Sequence, residues 1–419
     1  MSAATTTAAM PLTPVASTER VELIDMLRGF ALLGILTVNF WGSSGESVRR
    51  LDQVINDILD IAVSASFYPL FSFLFGLGFA VQWQRARARG AAVAWVYSRR
   101  MLALFLIGAF HAIVIWYGDI LVMYAICGAW LVLLHRLSDR WLLGIAAVLL
   151  AVSVWPPATT GLLHRIGGER AAETAMLMNS ATNERSRIQN DVANRYELDP
   201  DASQAAAFTS SMASRWDLFK FMVRALLSRT AIVNDIPGFF LIGFVVGRRR
   251  ILQEAARHRK GLAWAAGVGL TLAVAGAVTV YVVEPGSLVL TALAQTANDN
   301  GATMFYIAGI SLGVTFVPAI ARAFRLFAPA GRIGLTNYLL QSIAMTVVFS
   351  HYGLSLTRPS TAIWLAINLA FFFFIQIPLS AWYVQRFRFG PAEWLWRSMT
   401  YGVMQPMRLD KPVGVPVSA

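Results

Sequence analysis

The sequence predicts an all-α integral membrane protein with about ten transmembrane helices, both termini cytoplasmic, and a mostly helical insertion on the outer side. Three observations lead there. Hydrophobic residues make up 57% and charged residues 14% of the 419 positions, whereas soluble domains hold roughly 45–50% and 25%. The apolar residues come in runs long enough to cross a hydrocarbon layer of about 30 Å. The arginines gather in every second loop between those runs, as cytoplasmic loops do. This composition excludes disorder, collagen-like repeats and a disulfide-stapled secreted domain. The net charge of +12 sits between apolar spans and reads as topology, so no nucleic-acid partner is expected.

The expected spans are roughly 24–42, 63–84, 101–118, 120–135, 141–157, 231–247, 261–283, 302–321, 333–350 and 362–385. Arg85, Arg87, Arg89, Arg99 and Arg100 follow the second span, and Arg136 and Arg140 the fourth. Arg248, Arg249 and Arg250 follow the sixth; Arg322, Arg325 and Arg332 follow the eighth; Arg386, Arg388 and Arg397 follow the tenth. Glu284 and Asp299 are the only charges from 261 to 321. The alternation sets both termini inside, and an even span count requires the same. Residues 1–20 are expected to be a flexible tail that is not a signal peptide, because no basic start precedes them. Residues 21–157 form a first bundle of five helices, 231–402 a second, and 403–419 a cytoplasmic tail. Between the bundles, 158–230 is an extracytoplasmic insertion, with helical character at Ala171–Asn190 and an interfacial amphipathic segment at Trp216–Met222. Cys127 is the single cysteine and allows no intrachain disulfide.

Ionisable groups inside a bilayer are costly, which makes each a functional candidate. Asp25 and Arg28 enter the first span at i, i+3 and can pair. Arg28 and Asn39 share a helical face, about 16 Å apart along the axis, and that face either lines a path or serves snorkelling and helix packing. His111 is the sole histidine well inside a span. Its imidazole can act as a general base for a hydroxyl or amine, or bond a neighbouring helix. Asp119 lies about 80° around the same helix, so a His111–Asp119 bond requires the chain to bend back. Asn337 and Gln341 sit one turn apart in an apolar helix, beside Tyr338, and their amides need either a helix or a ligand as partner. With Arg28 they would make a positive vestibule suited to a phosphorylated donor. No metal spacing appears. Gly309–Gly313 spells GxSxG, but mid-helix, where that motif forms no nucleophile elbow. Gly76 and Gly78 are expected to be packing sites.

These residues resemble the YeiB-like family of bacterial multi-pass membrane proteins. The likeness rests on DMLRGFALLGILTVN from Asp25 to Asn39, FSFLFGLG from Phe71 to Gly78, and IGAFH ending at His111 with WYGDIL from Trp116 to Leu121. It continues in GRIGLTNYLLQS from Gly331 to Ser342 and GPAEWLWR from Gly390 to Arg397. That family is in turn similar to a transmembrane acyltransferase superfamily that includes the lysosomal heparan-alpha-glucosaminide acetyltransferase. The resemblance implies a cytoplasmic acyl-CoA donor as co-substrate, no bound cofactor, and a small-molecule, glycan or lipid acceptor at the membrane or its outer side. By this likeness Arg28 and Asn39 match the superfamily's opening pattern, and together with Asp25, Asn337, Tyr338 and Gln341 they are the expected substrate- or donor-binding residues. Many members place a histidine where this chain has Asn39, so the base role falls to His111, assisted by Asp119. The expected location is the bacterial inner membrane, among membrane lipids, with self-association as a homo-oligomer left open. A transporter of a small polar or lipid-like solute is the alternative, its path lined by the Arg28–Asn39 face; a scaffold within a larger complex is a third.

Overall fold

The computed structural model describes residues 22–39, 50–63, 66–88, 93–153, 204–227, 235–283, 287–350, 352–356 and 359–409. Among these residues the fold is helical, with a single isolated antiparallel bridge between Phe387 and Arg408 and no strand. The first half holds α1 (Glu22–Asn39), α2 (Arg50–Ala62), α3 (Phe67–Ala88), α4 (Val93–Phe110), α5 (Leu121–Leu134) and α6 (Asp139–Ser153). Then come α7 (Gln204–Leu227), α8 (Asp235–Arg248), α9 (Arg259–Val278), α10 (Leu288–Phe316) and α11 (Pro318–Arg325). The chain closes with α12 (Ala328–Arg332), α13 (Gly334–Phe349), α14 (Thr361–Ala370) and, after its continuation to Val384, α15 (Pro391–Tyr401). Among the described residues, π turns interrupt the α geometry at His111–Ile115, Thr279–Val283 and Phe371–Gln376.

Small residues set the closest helix contacts. A Cβ on Gly76 would strike the Phe240 carbonyl, and one on Gly243 the Phe73 carbonyl, so α3 and α8 touch backbone to backbone. Gly29 and Gly331 do the same for α1 and α12. Around these contacts lies an apolar core that includes Leu27, Leu32 and Ile35 of α1, Leu70, Phe73 and Leu77 of α3, and Phe240 and Phe244 of α8. On α9 the situation is reversed. Trp264, Val268, Leu270, Leu272 and Val274 are all exposed, a face that water would disfavour and lipid would not.

Among the described residues, four stretches are long and apolar enough to cross a membrane: the run from α2 through α3, Ala94–Ile115, Arg259–Val283 and Thr361–Val384. A fifth is the pair Val289–Phe316 and Pro318–Arg325 counted as one bent span, with an angle of 113° between its parts. Pro318 at the first position of α11 explains that break: it supplies no N–H to continue α10.

Several boundaries depart from the expectation. α2 was not anticipated; Asp52 and Leu59 are buried on one side of it, while Leu51, Val54 and Ile58 are exposed. Asp52 accepts the Ala362 N–H at 2.8 Å, holding α2 to the first turn of α14. α4 starts at Val93 instead of 101 and leaves helical geometry after Ile115 instead of 118. α10 starts at Leu288, well before 302. In the insertion, Trp216–Met222 belongs to the longer α7, whereas Ala171–Asn190 lies outside the described residues, as does the 1–20 tail. The expected tail from 403 is tied back as far as Leu409, where Arg388 N–H donates to the Met407 carbonyl at 2.9 Å and Leu409 N–H to that of Arg386 at 3.3 Å. The GxSxG residues lie within α10, where Ser311 Oγ donates to the Ile307 carbonyl at 2.5 Å and is fully buried.

Candidate functional site

A cavity of about 170 Å³ opens among α1, α3, α4, α5, α12, α13 and α15. Four arginines line it: Arg28, Arg100, Arg332 and Arg397. Arg28 Nη1 donates to Asp25 Oδ1 at 2.9 Å and to the Gly331 carbonyl at 3.2 Å. The Arg100 guanidinium lies 3.8 Å over the Trp396 ring, whose Nε1 donates to the Arg100 carbonyl at 2.8 Å. Arg397 lies 4.6 Å over Phe389, and burial pulls its guanidinium below the usual range. The carboxylate in the wall, Glu393, is already committed. It accepts Leu335 N–H at 2.6 Å, Thr336 N–H at 3.2 Å and Thr336 Oγ–H at 2.5 Å, capping the first turn of α13. Burial pushes the Glu393 carboxyl up, and these bonds partly offset the rise. Four guanidinium groups against two paired carboxylates, Asp25 and Glu393, leave the cavity positive. Such a cluster favours phosphate or carboxylate ligands.

Deeper in the bundle the chain builds a histidine–carboxylate pair. At His111 the helix widens into a π turn, whose carbonyl accepts the Trp116 N–H at 2.8 Å. Trp116 then turns extended, with φ −157° and ψ 131°, and the chain doubles back. This removes the angular offset that a regular helix would impose, and His111 Nδ1 reaches Asp119 Oδ1 at 2.8 Å. Both side chains are fully buried. Asp119 Oδ2 accepts the Val122 N–H at 2.8 Å, which fixes the carboxylate at the start of α5. A carboxylate only accepts, so Nδ1 carries a proton, and in the neutral form of the imidazole the lone pair sits on Nε2. That Nε2 is buried without a hydrogen-bond partner. The Tyr338 ring lies 5.1 Å from the imidazole, and Tyr338, Ile120 and Leu121 also line the arginine cavity. Tyr338 therefore touches both the cavity and the pair, while His111 itself is not a wall residue.

The other predicted site residues are placed elsewhere. Asn39 accepts a hydrogen bond from the Tyr68 hydroxyl at the end of α1, and it does not line the cavity that Arg28 lines. Asn337 Nδ2 donates to the Ala330 carbonyl and to Ser380 Oγ, each at 2.9 Å. Gln341 Nε2 donates to Gln376 Oε1 at 2.9 Å and to the Leu32 carbonyl at 3.3 Å. Gln376 Nε2 donates in turn to the Asn337 carbonyl at 3.1 Å. Both amides thus staple α13 to the 371–384 continuation of α14 and lie off the cavity. Sequence reasoning missed Arg100, Arg332 and Arg397 as site residues, having assigned them to loop topology. For Arg332 and Arg397 the available signal was their place in the same short motifs as Tyr338 and Glu393; Arg100 lies outside those motifs.

Comparisons with known proteins agree with the resemblance to the YeiB-like family. A family described as "Protein of unknown function (DUF418)" matches residues 246–403, which hold Arg332, Tyr338, Glu393 and Arg397. The protein "Uncharacterized protein YxaH" of Bacillus subtilis (strain 168) is 30% identical over 94% of this chain and 98% of its own length. An "Uncharacterized 39.9 kDa protein in amylase 3'region" of Bacillus acidopullulyticus is 28% identical over 95% of this chain and 99% of its own. "Uncharacterized protein YeiB" of Escherichia coli (strain K12) is 28% identical over 93% and 98%. With near full-length similarity to these proteins, the chain belongs to the YeiB-like family, described as proteins of unknown function (DUF418).

Proposed function

We propose that this protein transfers an acyl group from a cytoplasmic acyl-CoA to a hydroxyl or amine acceptor at the membrane or its outer side. In this reading it resides in the bacterial inner membrane, crosses it about ten times and keeps both termini inside, as the arginine alternation requires. The observation that carries the proposal is the buried His111–Asp119 pair with its unpartnered Nε2, joined through Tyr338 to a cavity lined by four arginines. The arginines would hold the phosphates of the donor. Asn337 and Gln341 would support the cavity wall by holding α13 against the 371–384 continuation of α14.

The chemistry balances on the residues present. As the acceptor oxygen or nitrogen bonds to the thioester carbonyl carbon, His111 Nε2 takes the acceptor's proton. Asp119 keeps the proton on Nδ1 and stabilises the imidazolium that forms. The carbon–sulfur bond breaks, the thiolate leaves, and the imidazolium returns its proton to the sulfur. Full burial strengthens each of these electrostatic contacts relative to water.

The test is calorimetric titration of acetyl-CoA and a longer acyl-CoA into purified protein in detergent. Saturable binding that is lost when Arg28, Arg100 and Arg397 are all changed to Gln supports the proposal. Absence of binding for every CoA ester, with the protein folded, overturns it.

A further inference from the structure

We infer that Arg215, delivered by α7 from the outer-side insertion, is a positioning residue that holds the π turn carrying His111. Arg215 is 2% exposed, a rare state for an arginine. Its Nη1 donates to the Val114 carbonyl at 2.7 Å, and its Nη2 donates to the Tyr352 hydroxyl. The guanidinium also lies 5.6 Å from the Tyr352 ring, which Phe208 of α7 meets edge-on.

The partner of Nη1 gives the contact its meaning. Val114 belongs to the π turn His111–Ile115, and the chain leaves helical geometry directly after it. Terminal carbonyls of a helix lack intrahelical donors, and in a buried setting each needs another. Two side chains from different elements supply them: Arg215 reaches Val114, and Thr346 Oγ of α13 donates to the Ile115 carbonyl at 3.2 Å. The π turn and the extended Trp116 are what bring Asp119 back to His111 Nδ1. Arg215 therefore acts on the imidazole through the backbone and makes no contact with it. The remainder of α7 reinforces the placement. Phe219 meets Phe105 of α4, and Met222 and Val223 pack on Val122 beside the carboxylate's own backbone anchor. The insertion is thereby built into the His111 site from its outer side.

The geometry stands without any assumed chemistry; its consequence for acyl transfer rests on the function proposed above. The experiment separates the two. Full-length protein in nanodiscs is treated with diethylpyrocarbonate, and modification of His111 and of His135 is followed by peptide mass spectrometry. His135, at the far end of α5, serves as the internal reference. In Arg215→Ala, His111 should react about tenfold faster or more, as expected when a buried charged hydrogen bond is lost, with His135 unchanged. Arg215→Lys, which can still donate to the Val114 carbonyl, should recover most of the protection. Tyr352→Phe, a milder change that keeps the guanidinium, should give about a two- to threefold rise. Unaltered His111 reactivity in Arg215→Ala and Tyr352→Phe overturns the inference, and so does a parallel rise at His135, which would mean general loosening. Acyl-CoA titration of the same samples reads the function separately. If His111 responds as stated while the wild type binds no CoA ester, the positioning role stands and the acyl-transfer reading falls.

Discussion

Two polar clusters meet at α13, and they are completed differently. On one side Asn337 and Gln341 bond to Ser380, Gln376 and backbone carbonyls, and of the four side-chain amide atoms only Gln341 Oε1 is left over. On the other side Tyr338 leans on His111, whose Nδ1 is bound by a carboxylate and whose Nε2 is empty. Both clusters lie in apolar helices where an unmade bond is costly. A structural staple needs its amides bonded to one another and to backbone, and here all but Gln341 Oε1 are. A basic nitrogen held in one tautomer and left without a donor is what proton transfer needs. The sharpest way to break this distinction is His111→Asn. Its amide can still donate to Asp119, so the buried carboxylate keeps a partner, but no basic nitrogen remains. Transfer of a radiolabelled acyl group from acyl-CoA in inverted vesicles should fall about 10²–10⁴-fold, with the thermal midpoint close to that of the wild type. Wild-type turnover in this variant would place His111 among the structural residues.

The same comparison separates donor binding from helix packing. Arg100→Gln or Arg397→Gln should each weaken acyl-CoA binding about tenfold, more at low salt than at high, because each removes a charged phosphate donor. Gln341→Leu should leave that affinity within about twofold and instead lower stability by about 1–2 kcal/mol, since it strands Gln376 Oε1 inside the bundle. The double change Gln341→Leu with Gln376→Leu should cost less than the single, because apolar groups replace both partners. Denaturant or thermal melts of the four proteins in one detergent measure this cycle. A double variant at the sum of the two single losses would show that the amides do more than hold each other.

How much of this was legible in the sequence depended on whether the interaction was local. Asp25 and Arg28 are one helical turn apart, and their pairing followed from spacing alone. His111 and Asp119 stood out as ionisable groups in apolar surroundings. Their bond could not be derived from a 100° helical period, because a π turn adds a residue to the turn and the chain leaves the helix at Trp116, well before Asp119. The arginines misled in a different way. The positive-inside rule accounts for Arg100, Arg332 and Arg397 as loop charges, and apart from the motif positions of Arg332 and Arg397 nothing marked them as site residues until α4, α12 and α15 were seen to converge. The early start of α10 was hidden for a similar reason. Asn298, Asp299 and Asn300 look like a loop, yet Asn298 Nδ2 donates to the Ala273 carbonyl of α9 at 3.0 Å and is buried by that contact. Polar residues that find a partner on another helix lose their value as punctuation.

The smallest effect concerns the support that both clusters share. α13 begins at a turn whose N–H groups and Thr336 hydroxyl are held by Glu393, so its orientation toward the staple and toward His111 depends on one carboxylate. Burial raises the Glu393 carboxyl above its ordinary 4.5, with the hydrogen bonds from Thr336 and Leu335 opposing the rise. A raised acid binds its proton more tightly in the folded chain than in the unfolded one. Its contribution to stability is therefore full below the ordinary value and is lost as pH climbs through the window up to the folded-state value. Glu393→Gln removes that titration and also one acceptor oxygen, which lowers the starting stability. The midpoint of the variant should thus lie below that of the wild type near pH 4, and the gap should close as pH rises toward neutrality. A gap that stays constant or widens over that range would mean that the bonds from α13 outweigh burial. The cap would then stabilise the helix as an ordinary ionised carboxylate, drawing its strength from the α13 N-terminus.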